Sequence, residues 1–475
     1  MTSIAGDGVR GSAAAGVDGP NGGPAGAGAG VSGGAGIPGE PGGGHRPNRQ
    51  RAAIGLVLAI MVPGVWLRLE GTAVAHPVEA AAFGLAIVGA AFLLAWAAEV
   101  AQLDISAGAA IAVLAFIAVL PEYAVDLVFA WKGGAAVRRF GPSCHVPGAS
   151  GESPCSLALA NMTGANRLLI GVGWAMVIFV AWYRWRTRGE RGRRIELDRS
   201  RSVELSFLAL ACLYSLTLPL KRTITLVDAM VLIAIFIAYT VRISRAPAEE
   251  PHLVGPAELI GTLPDQRRRI VVAVMFVAAA AVIVVCAESF AEALVATGSD
   301  LGISEFLLVQ WLAPLASETP ELLIAGLYAW RLNTDAGLGT LVSSKVNQWT
   351  LLVGTLPIVF ALASGSRHGL PIIARQREEL LLTAAQGVFA LAVLIDLNLS
   401  VREGWALFAL FWLQFVIGAV LPASAHDTEL VVVSAVYLGI AVILFTRGRR
   451  HVGRLFRNGL VTPYSVLADG GGGDR

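Results

Sequence analysis

The 475 residues carry 36 Lys and Arg against 34 Asp and Glu, a formal charge of +2, so the balance gives no reason to expect a nucleic-acid partner. Apolar residues make up 55% of the chain and charged ones 15%, more apolar surface than a water-soluble domain can hide, which leaves a polytopic membrane protein. Four cysteines are too few for a disulfide scaffold or a thiolate metal cage, and zinc-protease, phosphate-loop, nucleophile-elbow and paired C-x-x-C signatures are absent, so no cofactor is expected.

Residues 1–50 are Gly-, Ala- and Pro-rich with almost no large apolar side chains, and are expected to be a disordered cytoplasmic tail. They do not read as a cleavable signal, since the first hydrophobic stretch begins only near Ala52. A membrane span needs roughly 20 apolar residues. Windows of that size predict twelve, near 52–68, 77–98, 106–131, 156–182, 203–220, 224–242, 270–296, 304–330, 336–362, 379–398, 404–421 and 428–446. Only Pro219-Leu220-Lys221-Arg222 separates the fifth from the sixth.

The chain thus divides into a first membrane half (51–243), a linker (244–269), a second membrane half (270–446) and a short basic tail (447–475) expected to be loose. Arginine clusters at 46–51, 184–201, 242–269 and 447–457 fall on one side of this topology, so the positive-inside rule places both termini and the linker in the cytoplasm and the protein in the plasma membrane. The 184–201 arginines read as topology signals in contact with anionic headgroups. The loop from Cys144 to Cys155 then faces an oxidising exterior, where the two thiols either form a small disulfide loop or stay free.

Two segments share a phrase. Leu120-Pro121-Glu122 runs to Ala130-Trp131, and Thr319-Pro320-Glu321 runs to Ala329-Trp330, at the same spacing. A carboxylate in hydrocarbon costs several kcal/mol unless it meets a partner, a cavity or an ion. The two glutamates lie in the third and eighth spans, an odd number apart, so counting alone predicts two inverted five-helix repeats (about 77–243 and 270–421) with one extra helix at each end. A second polar span follows each: Asn161-Met162-Thr163-Gly164-Ala165-Asn166-Arg167 in the first half, and Ser343-Ser344-Lys345-Val346-Asn347-Gln348-Trp349-Thr350 in the second. Prolines free backbone carbonyls and amides add oxygens, a donor set suited to a hard cation.

This pattern resembles the calcium/cation antiporter superfamily, which includes the sodium/calcium exchangers. The resemblance covers about 77–420 and implies an all-α fold working by alternating access, with a metal cation (Ca²⁺ or Na⁺) exchanged for Na⁺ or H⁺. It implies Glu122 and Glu321 as the principal ligands of the transported cation. Glu318, Asp126, Asn166, Asn347, Ser317 and Thr350 are expected to complete the ion-binding set.

The match has gaps: Ala118 and Val119 replace hydroxyl-bearing positions before Pro121, Glu318 replaces another, and Lys345 occupies a usual glycine. Asp126 is one helical turn from Glu122, and Glu318 three residues from Glu321, so each pair shares a face. Like charges that close in low dielectric rarely both ionise, so at least one carboxyl should carry a proton. Arg167 and Lys345 are expected to offset two of the four acids, with Lys345 standing in for one cation, which makes monovalent Na⁺/H⁺ exchange a second reading. An intramembrane enzyme would need an unequal site in one half, and a non-transporting scaffold would show no flux. Glu99 and Glu288 read as interfacial.

Overall fold

The computed structural model describes residues 46–72, 74–104, 120–141, 144, 153–246, 253–421 and 425–469. The expectations for the first 45 residues, the first half of the 106–131 span and most of the Cys144–Cys155 loop lie outside those residues. The described chain is nearly all helical. Long helices are α1 (Arg46–Glu70), α2 (His76–Ala101), α3 (Leu120–Phe140), α4 (Pro154–Thr187), α5 (Ser202–Ser215) and α6 (Leu226–Ile243). A short α7 (Pro256–Gly261) precedes α8 (Asp265–Leu301), α9 (Glu305–Trp330), α10 (Thr334–Ser364), α11 (Ala374–Val393), α12 (Val401–Val420) and α13 (His426–Arg447).

Local chemistry sets these boundaries. Ser153 accepts from the Ser156 amide ahead of Pro154, and Thr225–Asp228 and Ser400–Glu403 form reciprocal capping boxes. Gly302 and Gly365 end α8 and α10 in the left-handed region that favours glycine. The 203–242 region forms two helices, joined through a turn and the two-residue strand β2 (Thr223–Ile224).

Among the described residues, nine helical stretches are long and apolar enough to cross a membrane. Of the other long helices, α3, α9 and α11 fall outside the nine, and they carry Glu122, Glu318 with Glu321, and Glu379. Burial sorts the bundle: 78% of the apolar window of α4 is enclosed, against 22% for α6 and α12, so α4 is central and the latter two face outward. Val274, Val277 and Val284 on α8 and Val431, Val432 and Val442 on α13 stay exposed, as a hydrocarbon solvent allows.

Inside, α2 packs along α8, α3 against α4 and α10, and α9 against α4. Two small antiparallel ladders cross between the halves. One joins β1 (Arg194–Glu196), after α4, to β4 (Asn398–Ser400), before α12; the other joins β2, before α6, to β3 (Leu370–Pro371), after α10.

Beyond α13 the described residues 449–469 are largely helical, contrary to the loose segment expected. Helix α14 (Arg449–Leu460) buries Leu455 and Gly459, the Ser206 hydroxyl donates to the Leu455 carbonyl at 3.1 Å, and Arg242 Nε donates to the Gly459 carbonyl at 3.1 Å. A basic composition alone did not reveal the apolar stripe that docks it on α5. On the linker side of the bundle, Asp104 beyond α2 pairs with Arg268 and Arg269 of α8, and the Arg268 hydrogen bond holds its carboxyl down to about 2.

The α4–α9 crossing depends on two residues. Pro314 has no amide to donate to the Gln310 carbonyl, and Gly164 brings α4 onto that same oxygen, where an added Cβ would lie 1.7 Å away. Because the obstructing atom is backbone, Gly164→Ala should cost at least the roughly 1–3 kcal/mol typical of overpacking. Thermal unfolding in detergent should show a clear drop for Gly164→Ala and little change for Gly439→Ala, where the added atom meets open space.

Candidate functional site

Three carboxyls meet where α3, α9 and α10 come together. Glu318 is fully buried, and Glu122 and Glu321 lie close enough to act on it electrostatically. The Gln348 amide nitrogen bridges two of them, donating to Glu122 Oε1 at 2.6 Å and to Glu318 Oε1. The Ser344 hydroxyl donates to Glu321 Oε2 at 2.9 Å. One oxygen each of Glu122 and Glu318 has no donor. Buried carboxyl oxygens without donors can be satisfied by a proton or by a cation.

Asp126, one turn along α3, is held by the Asn161 amide at 3.0 Å. The Ser317 hydroxyl faces the carbonyls of Ala313 and Pro314, and that of Thr350 donates to the Val346 carbonyl at 2.6 Å, so both bond within their own helices. Asn347 is buried beside Gln348 in α10.

The two cationic side chains part company. Lys345 is fully buried, and its ammonium donates to the backbone and side-chain oxygens of Asn166, each at 2.9 Å, with the Trp349 ring 5.8 Å away. It joins α10 to α4 and acts electrostatically on Glu318 without touching it. Arg167 does not offset the acid cluster as expected. It turns the other way to pair with Glu379 at 2.6 Å and with the Gln414 carbonyl oxygen. The residue after Asn166 points to a different helix face, a separation of roughly 100° that motif spacing does not convey.

Both polar helices contain a π-helical turn just past their asparagines, at Leu169–Trp174 in α4 and Gln348–Leu352 in α10. Such turns admit an extra residue and re-aim side chains, and they are frequent at functional sites. The second turn begins at Gln348, the residue that reaches across to Glu122. Gln348 and Ser344 lay inside the quoted motif without being chosen, because an amide that serves a partner helix cannot be told from sequence.

A cleft of about 200 Å³ runs from Pro121, Ser317 and Glu321 past Glu99 to Tyr328 and Thr340, toward the end of α9 nearest the linker. Glu99 is 9% exposed rather than interfacial, with one oxygen accepting from the Val254 amide at 3.0 Å, because the 253–261 segment covers that end of α2. Elsewhere, Cys144 and Cys155 are joined as a disulfide in the structure. Among the described residues no three His, Cys, Asp or Glu side chains are placed to hold a metal ion together.

If Gln348 holds Glu122 and Glu318 in register, Gln348→Leu removes two hydrogen bonds to carboxyls, each worth about 1.5–3 kcal/mol. At least a tenfold rise in the cation concentration for half-maximal flux is expected, measured in reconstituted vesicles.

The chain matches the family described as sodium/calcium exchanger protein over residues 78–244 and 271–420. Among solved structures it is similar to the crystal structure of the H⁺/Ca²⁺ exchanger CAX, with 37% identity over 88% of this chain and 98% of that one, and a TM-score of 0.77. It shares a fold with native YfkE at 15% identity, covering 82% of this chain and 99% of that one, with a TM-score of 0.53. No curated protein sequence matches it. The family match spans most of both membrane halves and contains all three clustered carboxyls, so the chain is a multi-pass membrane protein that belongs to the sodium/calcium exchanger protein family, within the calcium/cation exchanger superfamily.

Proposed function

We propose that the chain is a secondary-active antiporter that carries a divalent cation, calcium first, across the membrane in exchange for protons. The observation that carries this reading is the Gln348 amide bridging Glu122 and Glu318, with Glu321 near enough to act on both. Three ionised carboxylates so close in low dielectric repel strongly. Protons or a cation must neutralise them, and both would use the same oxygens. A cation that binds there displaces protons, and protons that bind there displace the cation, which is the logic of exchange.

Charge arithmetic supports a divalent ion. With Asp126, held on Asn161, counted as protonated, the three glutamates carry three negative charges and Lys345 supplies one positive charge nearby, leaving two, the charge of one Ca²⁺ or of two protons. Lys345 in this reading is a fixed monocation held on Asn166, as the sequence suggested, but its charge favours a divalent cargo. Glu122 and Glu321 act as principal ligands and Glu318 as the proton-carrying partner, with Ser344, Ser317 and Asn347 as further oxygen donors. The resemblance to the H⁺/Ca²⁺ exchanger CAX points the same way.

Alternating access between inverted halves is part of the proposal. It is supported by the π turns at matching places in α4 and α10 and by the reciprocal ladders β1–β4 and β2–β3. We assign the linker face and both termini to the cytoplasm, in the plasma membrane. The Cys144–Cys155 bridge, on the opposite face, suits that orientation. The second reading, Na⁺/H⁺ exchange, follows if one of the three carboxyls keeps its proton, since the single negative charge that remains then matches Na⁺.

The test is flux in proteoliposomes with an imposed proton or sodium gradient. Calcium uptake driven by a proton gradient is expected, and Glu122→Gln and Glu321→Gln should each reduce it at least a hundredfold, about 2.7 kcal/mol. Sodium flux coupled to protons with calcium inert would establish the second reading instead. Lys345→Met should leave the acid cluster one charge more negative and change the ratio of calcium to sodium flux; an unchanged ratio would remove Lys345 from the account.

A further inference from the structure

Arg167 leads to a second buried polar cluster, some distance from the carboxyl triad. Its guanidinium pairs with Glu379 at 2.6 Å, stands 5.1 Å from the Trp311 ring and donates to the Gln414 side-chain oxygen. Glu379 also accepts from Gln310 Nε2 at 2.9 Å. The Gln414 amide nitrogen donates to Glu429 Oε1 at 3.2 Å. A cavity of about 270 Å³ touches Arg167, Glu379, Gln414 and Glu429, with Arg375 and His426 on its wall. It lies beside Leu307–Trp311 in the first turns of α9, whereas the cleft to Glu321 reaches Tyr328 near the other end. Eighteen residues of helix separate Gln310 from Tyr328, about 27 Å along the axis.

Two carboxyls here stand in unlike positions. Glu379 has a guanidinium and an amide as donors. Glu429 is 7% exposed and faces one neutral amide, with the charges of Arg167, Glu379 and His426 acting on it from outside hydrogen-bond contact. Arg375 lies on the cavity wall, and Asp427, also on α13, acts electrostatically on Glu378.

Building on the antiport reading, we propose that Glu429 is a second proton-binding site, reached from the cavity face and read by Arg167 through Gln414. The proton passes from water in the cavity to a Glu429 oxygen, converting carboxylate to carboxyl. Ionised Glu429 requires the Gln414 NH₂ to face it, so the Gln414 carbonyl oxygen faces Arg167. A protonated Glu429 becomes a donor and competes for that same oxygen. Arg167, the neighbour in sequence of the Asn166 that holds Lys345, then loses Gln414 and keeps only Glu379 of its two acceptors. Gln414 is a positioning residue and Glu429 the proton site.

The experiment uses the full chain in proteoliposomes, with pH varied on each side in turn, together with infrared spectroscopy of the carboxyl band. A carboxyl band that titrates in the wild type and is lost in Glu429→Gln is expected. Calcium flux in that variant should lose most of its dependence on pH at the cavity face, at least tenfold less change per pH unit, with half-saturating calcium within about twofold of wild type. Gln414→Leu should keep the titrating band while losing the pH dependence of flux, a result that a purely structural role would not give. A wild-type pH profile in Glu429→Gln, or a titrating band that persists in it, overturns the proposal. Absence of proton-driven calcium flux in the wild type would overturn the antiport reading, and the infrared band would still decide whether Glu429 takes up a proton.

Discussion

The fold is organised around the burial of carboxyls that cannot all be charged at once. Glu318 sits between Glu122 and Glu321 with Gln348 and Ser344 as the nearest neutral donors, and the closest ammonium, that of Lys345, is engaged with Asn166. Hydrocarbon does not tolerate such a group on its own. Enclosure by α3, α9 and α10, the proline-interrupted backbone of α9 and the π turn that delivers Gln348 all serve to hold acids in a place where proton or cation occupancy is demanded of them.

Much of this arrangement was legible in the chain. The repeated Pro-Glu phrase marked Glu122 and Glu321, helical spacing attached Asp126 and Glu318, and hydropathy placed most of the described helices within about six residues, whereas α3 runs on to Phe140, past the expected end at 131. Other parts were hidden for identifiable reasons. Arg167 follows Asn166 directly, yet the helix rotation turns it to Glu379, more than two hundred residues away in sequence. Glu99 read as interfacial because nothing in its own helix reveals that the 253–261 segment covers it. The apolar stripe of α14 was masked by five arginines between 447 and 457, although spacing alone would have shown it had the segment been read as a helix.

Two polar regions open toward opposite ends of α9. The cleft past Glu99 leads to the carboxyl triad, while the cavity beside Trp311 leads to Arg167 and its partners. They are connected through one stretch of α4, in which Asn161, Asn166 and Arg167 face three different neighbours: Asp126, Lys345 and Glu379. Helix α4, the most enclosed of the nine apolar helices, thus meets a carboxyl, an ammonium and a second carboxyl on three of its faces. Gly164 lies in its midst because only a residue without a side chain lets α4 settle on the Gln310 carbonyl.

The Arg167–Glu379 pair also bears on how the chain is made. The partners are 212 residues apart, so Arg167 is synthesised long before its counterion exists. At about 5–20 residues per second, the interval is on the order of 10–40 s. For that time a guanidinium belonging to the innermost helix has to wait near a lipid–water boundary or in the insertion machinery. The first half can then seat fully only when α11 arrives, which makes late-translated sequence a condition for burying an early helix.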